Sequence, residues 1–259
     1  MARIFFSLLL AISLGTLGAV RLTIAEFEQR IFEHTNRERA RHNLPALIYE
    51  PGLADLARGH SRNMLHQDFF DHADRQGLQV GGRQERFYPQ IMLISIGENL
   101  YKIEDSRKRF SSAEIVQGWM DSPGHRANIL NRDFTHIGVG VVVSGRKLYA
   151  TQNFGTPIVK LITPLPLRTR AGSLRLEFEY LSPRPGRDLV ATIRYPDASV
   201  KFFVNDNEYL EGAEIQRPSW IGGKRFTLTV TFPAGSGDYR VQFGWGNSFY
   251  DNGFLVQKL

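Results

Sequence analysis

The spacing of hydrophobic residues is helical in the first part of the chain. Residues 24–43 carry apolar side chains every three or four positions, and a second such stripe runs from Leu53 to Met64, so both stretches are predicted to be amphipathic helices. A capping box at 111–114 opens a further helix. Two apolar runs, 137–143 and 147–154, are joined by a Ser-Gly-Arg turn, which predicts a β-hairpin. Helices together with an antiparallel pair make this part of the chain α/β or α+β, and α+β is the class that we predict.

In the last third of the chain the hydrophobic period changes to two. Three stretches alternate apolar and polar residues, as strands with one buried face do. They are residues 174–180, 226–232 and 239–245. Pro164 and Pro166 precede this region. We therefore predict a mixed first domain at 24–157, a linker at 158–170 and an independently folding all-β sandwich of Ig-like type at 171–259.

The composition excludes several classes of protein. With 42% hydrophobic and 22% charged residues, the chain is globular rather than disordered. It has no cysteine, which excludes disulfides, cysteine zinc sites and thiolate catalysis. The net charge of +6, from 32 Lys and Arg against 26 Asp and Glu, forms no basic stripe. We therefore expect no nucleic-acid partner.

The first residues have the features of an export signal. Arg3 precedes an apolar run from Ile4 to Leu14, and small residues follow up to Ala19. This order is typical of a signal peptide, so residues 1–19 are predicted to direct the protein to the outside, the periplasm or the cell envelope. The alternative is an uncleaved membrane anchor, because the uncharged run is close to the shortest length that spans a bilayer.

Polar residues collect in four short segments of the first domain. These are HSRNM at 60–64, FFDH at 69–72, GENL at 97–100 and WMDSPGHRANIL at 119–130. Together with the segments 137–140 and 152–154, they resemble the CAP superfamily of cysteine-rich secretory proteins, antigen 5 and plant pathogenesis-related proteins, in its cysteine-free bacterial branch. The resemblance covers about residues 27–156. It implies a three-layer α-β-α sandwich with a surface cleft, and it does not extend to the predicted β-sandwich.

The resemblance also implies which residues line the cleft. In the family two histidines and two acidic residues do so. His72, Glu98 and His125 match the first histidine, the first acidic residue and the second histidine. The second acidic position is occupied by Ser122, and Asp121 is its neighbour. The incomplete set weakens any mechanism that needs two carboxylates.

Two interpretations of these residues remain open. His72 and His125 are candidate ligands for zinc or another divalent cation, with Glu98 as the candidate general base for a metal-bound water. Alternatively, the three side chains form a hydrogen-bonded cluster that fixes three loops. Three functions are accordingly open. They are binding of an extracellular or envelope ligand (lipid, glycan or peptide), metal-assisted hydrolysis of peptide or cell-wall material, and a scaffold whose β domain attaches to the cell envelope.

Overall fold

The computed structural model describes residues 23–107, 109–205, 208–246 and 248–259. The predicted signal peptide at 1–19 lies outside these ranges. Within them, no helix is both long and apolar enough to cross a membrane. The helices are α1 (Ile24–Arg41), α2 (Pro51–His66), α3 (Val80–Phe87), α4 (Ser112–Asp121) and α5 (Pro123–Ile129). The strands are β1 (Ile48–Tyr49), β2 (Ile91–Glu104), β3 (His136–Ser144), β4 (Lys147–Leu161), β5 (Leu167–Thr169), β6 (Ser173–Tyr180), β7 (Leu189–Arg194), β8 (Lys201–Asn205), β9 (Glu208–Glu211), β10 (Ala213–Gln216), β11 (Ser219–Gly222), β12 (Arg225–Thr231), β13 (Gly237–Trp245), β14 (Ser248–Phe249) and β15 (Phe254–Lys258).

Helices cover both faces of the sheet in the first region. Strands β2 and β3 flank β4 in antiparallel pairing, and β1 joins β3 in parallel. One sheet face, including Val139 and Phe154, packs against α1, α4 and α5 around Trp119. On the other face, Leu53 and Met64 of α2 pack against β2 and β4. The arrangement is the three-layer α-β-α sandwich that the family resemblance implies.

Two glycines of β3 let α2 touch the sheet. A Cβ atom on Gly138 would lie 2.0 Å from the backbone nitrogen of Ala54, and one on Gly140 would lie 2.0 Å from that of Arg58. No side chain fits in these gaps, so only glycine permits the contact. Ser61 of the same helix donates from Oγ to the carbonyl of Gly140 at 3.0 Å. This contact fixes α2, and the loop that follows α2 carries His72.

The last part of the chain forms two packed sheets. Strands β6, β12 and β11 extend the sheet of the first region beyond the end of β4, and the order β10-β7-β13-β15-β5 makes the second sheet. Between them, Phe178 packs against Phe226 and Phe243 with ring centroids 5.3 and 5.0 Å apart. These phenylalanines occupy the buried face that the alternating pattern predicts. The chain is therefore an α+β sandwich followed by a β-sandwich.

The segment predicted to be a linker, 158–170, consists largely of strand. Strand β4 continues to Leu161 and pairs with β6 at its end, while β5 pairs in parallel with β15. Ile158, Val159 and Leu161 are buried in the same core as Phe178. Their apolar side chains are the physical reason, because ending the strand at residue 157 would expose them to water. The two regions therefore share one strand and part of one core.

Candidate functional site

Glu98 is the centre of the polar residues in the first region. It lies on β2, at the edge of the sheet, and its side chain is buried. His72 donates from Nδ1 to its Oε1 at 2.9 Å, and Arg83 donates from Nη2 to its Oε2. Asn153 pairs with Glu98 across the sheet, and with its amide nitrogen turned to the carboxylate it donates to Oε2 at 3.2 Å. The buried negative charge is thus balanced by a cation and by directed donors.

Arg83 is a site residue that the sequence motifs do not reveal. It lies on α3 and is almost completely buried. Its Nη1 donates to the carbonyls of His72 and Leu78, so one guanidinium holds both the Glu98 carboxylate and the loop that carries His72. The stretch 67–90 has the composition of a loop, and arginine is rarely buried. No sequence signal therefore marks this position.

Asn99, the neighbour of Glu98, fixes the opposite wall of the site. Successive side chains of a strand point to opposite faces, so Glu98 faces α2 and α3 while Asn99 faces α5. Asn99 donates from Nδ2 to the carbonyl of His125 at 3.0 Å. Asn128 donates to the Glu98 carbonyl at 3.1 Å and to Oδ1 of Asn99 at 2.9 Å. His125 is thereby attached to the same strand edge as His72.

The two histidines have different electrostatic environments. The hydrogen bond to Glu98 raises the pKa of His72, whose side chain is 48% exposed. Burial lowers the pKa of His125, and repulsion from His72 lowers it further. Nδ1 of His72 is bound to Glu98, so Nε2 is the ring nitrogen that can meet a ligand.

Asp121 and Ser122 are not joined to this set. Asp121 is exposed, and its Oδ1 accepts a hydrogen bond from Nε2 of Gln117 on the same helix at 2.8 Å. Ser122 is the N-cap residue of α5, and its side chain makes no capping hydrogen bond. Among the residues that the structure describes, neither side chain bonds to His72, Glu98 or His125.

His60 is a buried structural histidine behind the site. Its Nε2 lies 2.9 Å from the carbonyl oxygen of Asp71 and 4.0 Å from Oε1 of Glu98. Burial lowers the pKa of His60, so the ring is neutral and donates to Asp71. This bond holds the chain just before His72. The position of His60 on the apolar stripe of α2 favours a hydrogen-bonded core histidine over a ligand.

The site does not have the ligands of a firmly held metal. In the described ranges, no three or more His, Asp or Glu side chains are grouped to hold a metal ion. The Glu98 carboxylate is bound to His72 and Arg83, which leaves Nε2 of His72 and the His125 ring. A catalytic zinc has three protein ligands. The residues present therefore do not fit such a centre.

Comparison with known proteins gives the first region a family. The model of the CAP family, described as the cysteine-rich secretory protein family, matches residues 32–154. Residues 32–154 are a CAP domain.

The CAP domain is similar to proteins of bacilli. It is 36% identical over 123 residues to YkwD, an uncharacterized protein of Bacillus subtilis, across 48% of this chain and 45% of that protein. It is also 36% identical over 128 residues to YlbC, an uncharacterized membrane protein of the same organism, across 49% of this chain and 34% of that protein. The matches thus span less than half of each relative.

A solved structure is also similar to the CAP domain. It is an extracellular protein of Bacillus anthracis that contains an SCP domain, with 36% identity and a TM-score of 0.43. The match covers 51% of this chain and 40% of that one.

Proposed function

We propose that the CAP domain binds an extracellular or envelope ligand in the cleft at His72 and His125. The observation that carries the proposal is the state of Glu98, whose two carboxylate oxygens accept hydrogen bonds from His72 and Arg83. The carboxylate therefore orients His72 and is not itself free for a ligand. Nε2 of His72 and the ring of His125 remain, and each can donate or accept according to its protonation.

The ligand that suits two imidazoles presents an anionic or strongly accepting group. A lipid headgroup phosphate, a glycan carboxylate and the C-terminal carboxylate of a peptide all have this chemistry. The raised pKa of His72 supports the match, because a protonated ring donates from Nε2 to an anion. Affinity is therefore expected to increase as the pH falls and His72 becomes protonated.

Binding is better supported than metal-assisted hydrolysis. A general base needs an oxygen that can take a proton from water, and the buried Glu98 carboxylate is occupied by His72 and Arg83. No third strong ligand joins the two histidines in the described residues. The scaffold function predicts a different behaviour, since the three residues would then fix loops and bind nothing.

We test the cleft by labelling the histidine rings with ¹³C and recording their NMR signals. The full chain is titrated with soluble peptidoglycan fragments, with phosphatidylglycerol vesicles and with short unstructured peptides. His72→Asn and His125→Asn assign the two signals. One probe should shift both signals while those of His34 and His66, which lie on α1 and α2, stay in place. If none of the three probes shifts His72 or His125, the scaffold function replaces this proposal.

We also propose that the protein is exported. The supporting feature is the order of charge, apolar run and small residues in 1–19. Intact-mass measurement of the protein recovered outside the cytoplasm should give a chain that begins near residue 20. A soluble exported protein that retains Met1 would contradict the proposal.

A further inference from the structure

A second concave surface lies on the β-sandwich. The space within it is open to solvent and measures about 450 Å³, within the range of small-ligand sites. Tyr180 and Trp220 supply its aromatic surface, and Arg184, Arg187 and Lys224 supply its charge. Of the described residues that line it, three are cations and none is acidic. We call this surface the Trp220 cavity.

Trp220 is exposed and yet held in one position. It is 41% exposed and lies on β11, the edge strand of its sheet, where every residue is exposed. Its ring packs edge-on against Tyr180, with centroids 5.8 Å apart, and at a tilt against Phe226, with centroids 5.2 Å apart. A Cβ on Gly186 would lie 2.7 Å from the indole, so the backbone there is in contact with the ring. A large apolar surface is thus presented to solvent in a fixed orientation, which lowers the entropic cost of binding.

The cations around Trp220 are available to an anion. The guanidinium of Arg184 lies over the ring of Trp245, 4.3 Å from its centroid. The loop that carries it is fixed by the Tyr180 hydroxyl, which donates to the Arg184 carbonyl at 2.9 Å. The Arg187 side chain is 85% exposed, and its Nε lies 3.8 Å from Oδ1 of Asp188, the next residue in the chain. Lys224 forms no ion pair with a carboxylate of the described residues. Of the three cations, only Arg187 has a carboxylate partner among the described residues, and such an exposed pair contributes little, so most of the positive charge of the cavity remains available.

We propose that the Trp220 cavity binds an acidic saccharide. The apolar C–H face of a sugar ring packs on a flat aromatic face, and arginine and lysine bind the carboxylate or phosphate groups of the chain. Single-stranded nucleic acid also stacks on aromatic rings, but it needs a basic groove that follows its backbone. The net charge of +6 is spread along this chain, and Trp220 stands among only three cations. The observations therefore favour a short acidic sugar segment.

This site is separate from the histidine cleft and does not depend on the function proposed for it. Arginine and lysine stay charged between pH 5 and 8, so the Trp220 cavity should bind a saccharide whose carboxylates are ionised throughout that range equally well at both ends of it. Ligand binding at His72 should change, because a histidine titrates there. The pH profile thus tells which site a ligand occupies.

The test measures binding of the full chain to fluorescent hexagalacturonate at pH 5 and pH 8. Fully methyl-esterified hexagalacturonate is the matched neutral probe. Phosphorylated maltohexaose, which carries phosphate instead of carboxylate, is compared at pH 8 only, because its phosphate gains a second charge near pH 6. We expect the protein to bind at least one acidic probe about tenfold more tightly than the ester, with less binding at high salt. The tighter acidic probe identifies the preferred anionic group.

Variants then locate the site. Trp220→Ala should weaken binding about tenfold. The double variant Arg187→Gln and Lys224→Gln should weaken it by the same factor and leaves the core unaltered. Gly186→Ala keeps every charge and the indole, but its methyl group would overlap the ring of Trp220 and displace it. This variant should therefore also weaken binding. The controls are Arg175→Gln, an exposed arginine of β6, and Phe203→Ala, an exposed aromatic residue of β8. Both should bind as the unmodified protein does.

Several results would overturn the proposal. One is equal binding of the ester and the acidic probes. Another is full displacement of the bound saccharide by inorganic phosphate at an equal concentration. That result would show that the cavity is a site for small anions. A third is unchanged binding in the Arg187 and Lys224 double variant, whose exposed substitutions leave the fold intact.

Discussion

At the scale of single residues, Arg83 links the carboxylate and the histidine loop of the CAP domain. Replacing it by Gln removes the buried cation and leaves Glu98 with fewer donors. We expect the free energy of unfolding of Arg83→Gln to fall by about 3–5 kcal/mol, as for other broken buried ion pairs. Urea denaturation at pH 7 measures it. Arg146→Gln is the control, because the Arg146–Glu104 pair is exposed and contributes at most about 1 kcal/mol. Equal losses in both variants would show that Arg83 does not balance a buried charge.

Ser122 decides how a metal would bind to the cleft. With only His72 and His125 as ligands, the unmodified protein should bind zinc weakly in a calorimetric titration. Ser122→Glu adds a carboxylate at the position that is acidic in the CAP family, so it should bind zinc more tightly. His125→Ala should abolish binding, because it removes one of two strong ligands. If His125→Ala binds zinc as the unmodified protein does, the metal is bound elsewhere.

His136 makes the fold sensitive to acid. It is buried at the start of β3, and burial together with the charge of Lys224 lowers its pKa from 6.5 to about 4. In the unfolded chain the His136 ring takes up a proton near pH 6.5, whereas in the folded protein it does so only near pH 4. The free energy of unfolding that His136 contributes is therefore fully present above pH 6.5 and is lost as the pH falls toward 4. The loss should amount to about 3 kcal/mol. Between pH 7 and pH 4, the free energy of unfolding of His136→Gln should fall by about 3 kcal/mol less than that of the unmodified protein. Urea denaturation at the two pH values measures it. An identical pH profile in the two proteins would contradict it.

The sequence predicts only part of the site. His72, Glu98 and His125 stand in recognisable local motifs, so the chain itself marks them. Arg83 does not, because its role depends on α3 folding back over Glu98. Asp121 has a local partner instead of one in the cleft, because Gln117 precedes it by four positions on the same helix and donates to its Oδ1.

At the scale of elements, the contact between α2 and β3 depends on glycine. Gly138→Ala would place a methyl group 2.0 Å from the backbone of Ala54, so the helix must move away from the sheet. We expect the free energy of unfolding to fall by about 3 kcal/mol, at the upper end for overpacked cores. Thermal denaturation measures it.

Gly59→Ala is the matched control for this substitution. It adds the same methyl group to α2, where no atom lies within 4 Å of the new Cβ. Alanine is the better helix former, so this variant should be about 0.5–1 kcal/mol more stable than the unmodified protein. Equal effects at Gly138 and Gly59 would contradict the close contact.

Elements with a local signal are predicted from sequence, and elements with distant partners are not. The N-cap at Ser111 and the β3–β4 hairpin depend on neighbouring residues. The Ser111 hydroxyl accepts from the backbone nitrogen of Glu114, which is one half of the predicted capping box, and the hairpin forms as predicted. The apolar run 91–96 is consistent with a buried strand or with a turn, and the structure has the first part of β2 there. Gly97, Glu98 and Asn99 continue the strand because β4 and the helical layers supply their partners, and no local pattern encodes those partners.

At the scale of the whole molecule, the β-sandwich takes part of its core from the CAP side. Met92, Ile158, Val159 and Leu161 pack with the sandwich residues, and a fragment of residues 171–259 lacks all four. We expect this fragment to show no cooperative thermal transition, and a fragment of residues 156–259, which restores three of them, to be more stable. Circular dichroism during heating compares the two. A cooperative melt of the shorter fragment at the temperature of the longer one would support the independent domain that the sequence predicts.

Strand β4 also limits how this architecture can be recombined with others. A chimaera that joins the sandwich to a different CAP domain at residue 157 or 170 would cut β4 or leave its apolar end without a partner. An exchange at the β3–β4 turn, at Gly145 and Arg146, would transfer β4 whole together with the sandwich. It would, however, separate β4 from β2 and β3, the strands that it pairs with in the CAP domain. A transferable cassette must therefore include β2, β3 and β4 together with the sandwich. In a lineage that inherits such proteins, the two regions are expected to be exchanged as one unit rather than as separate modules.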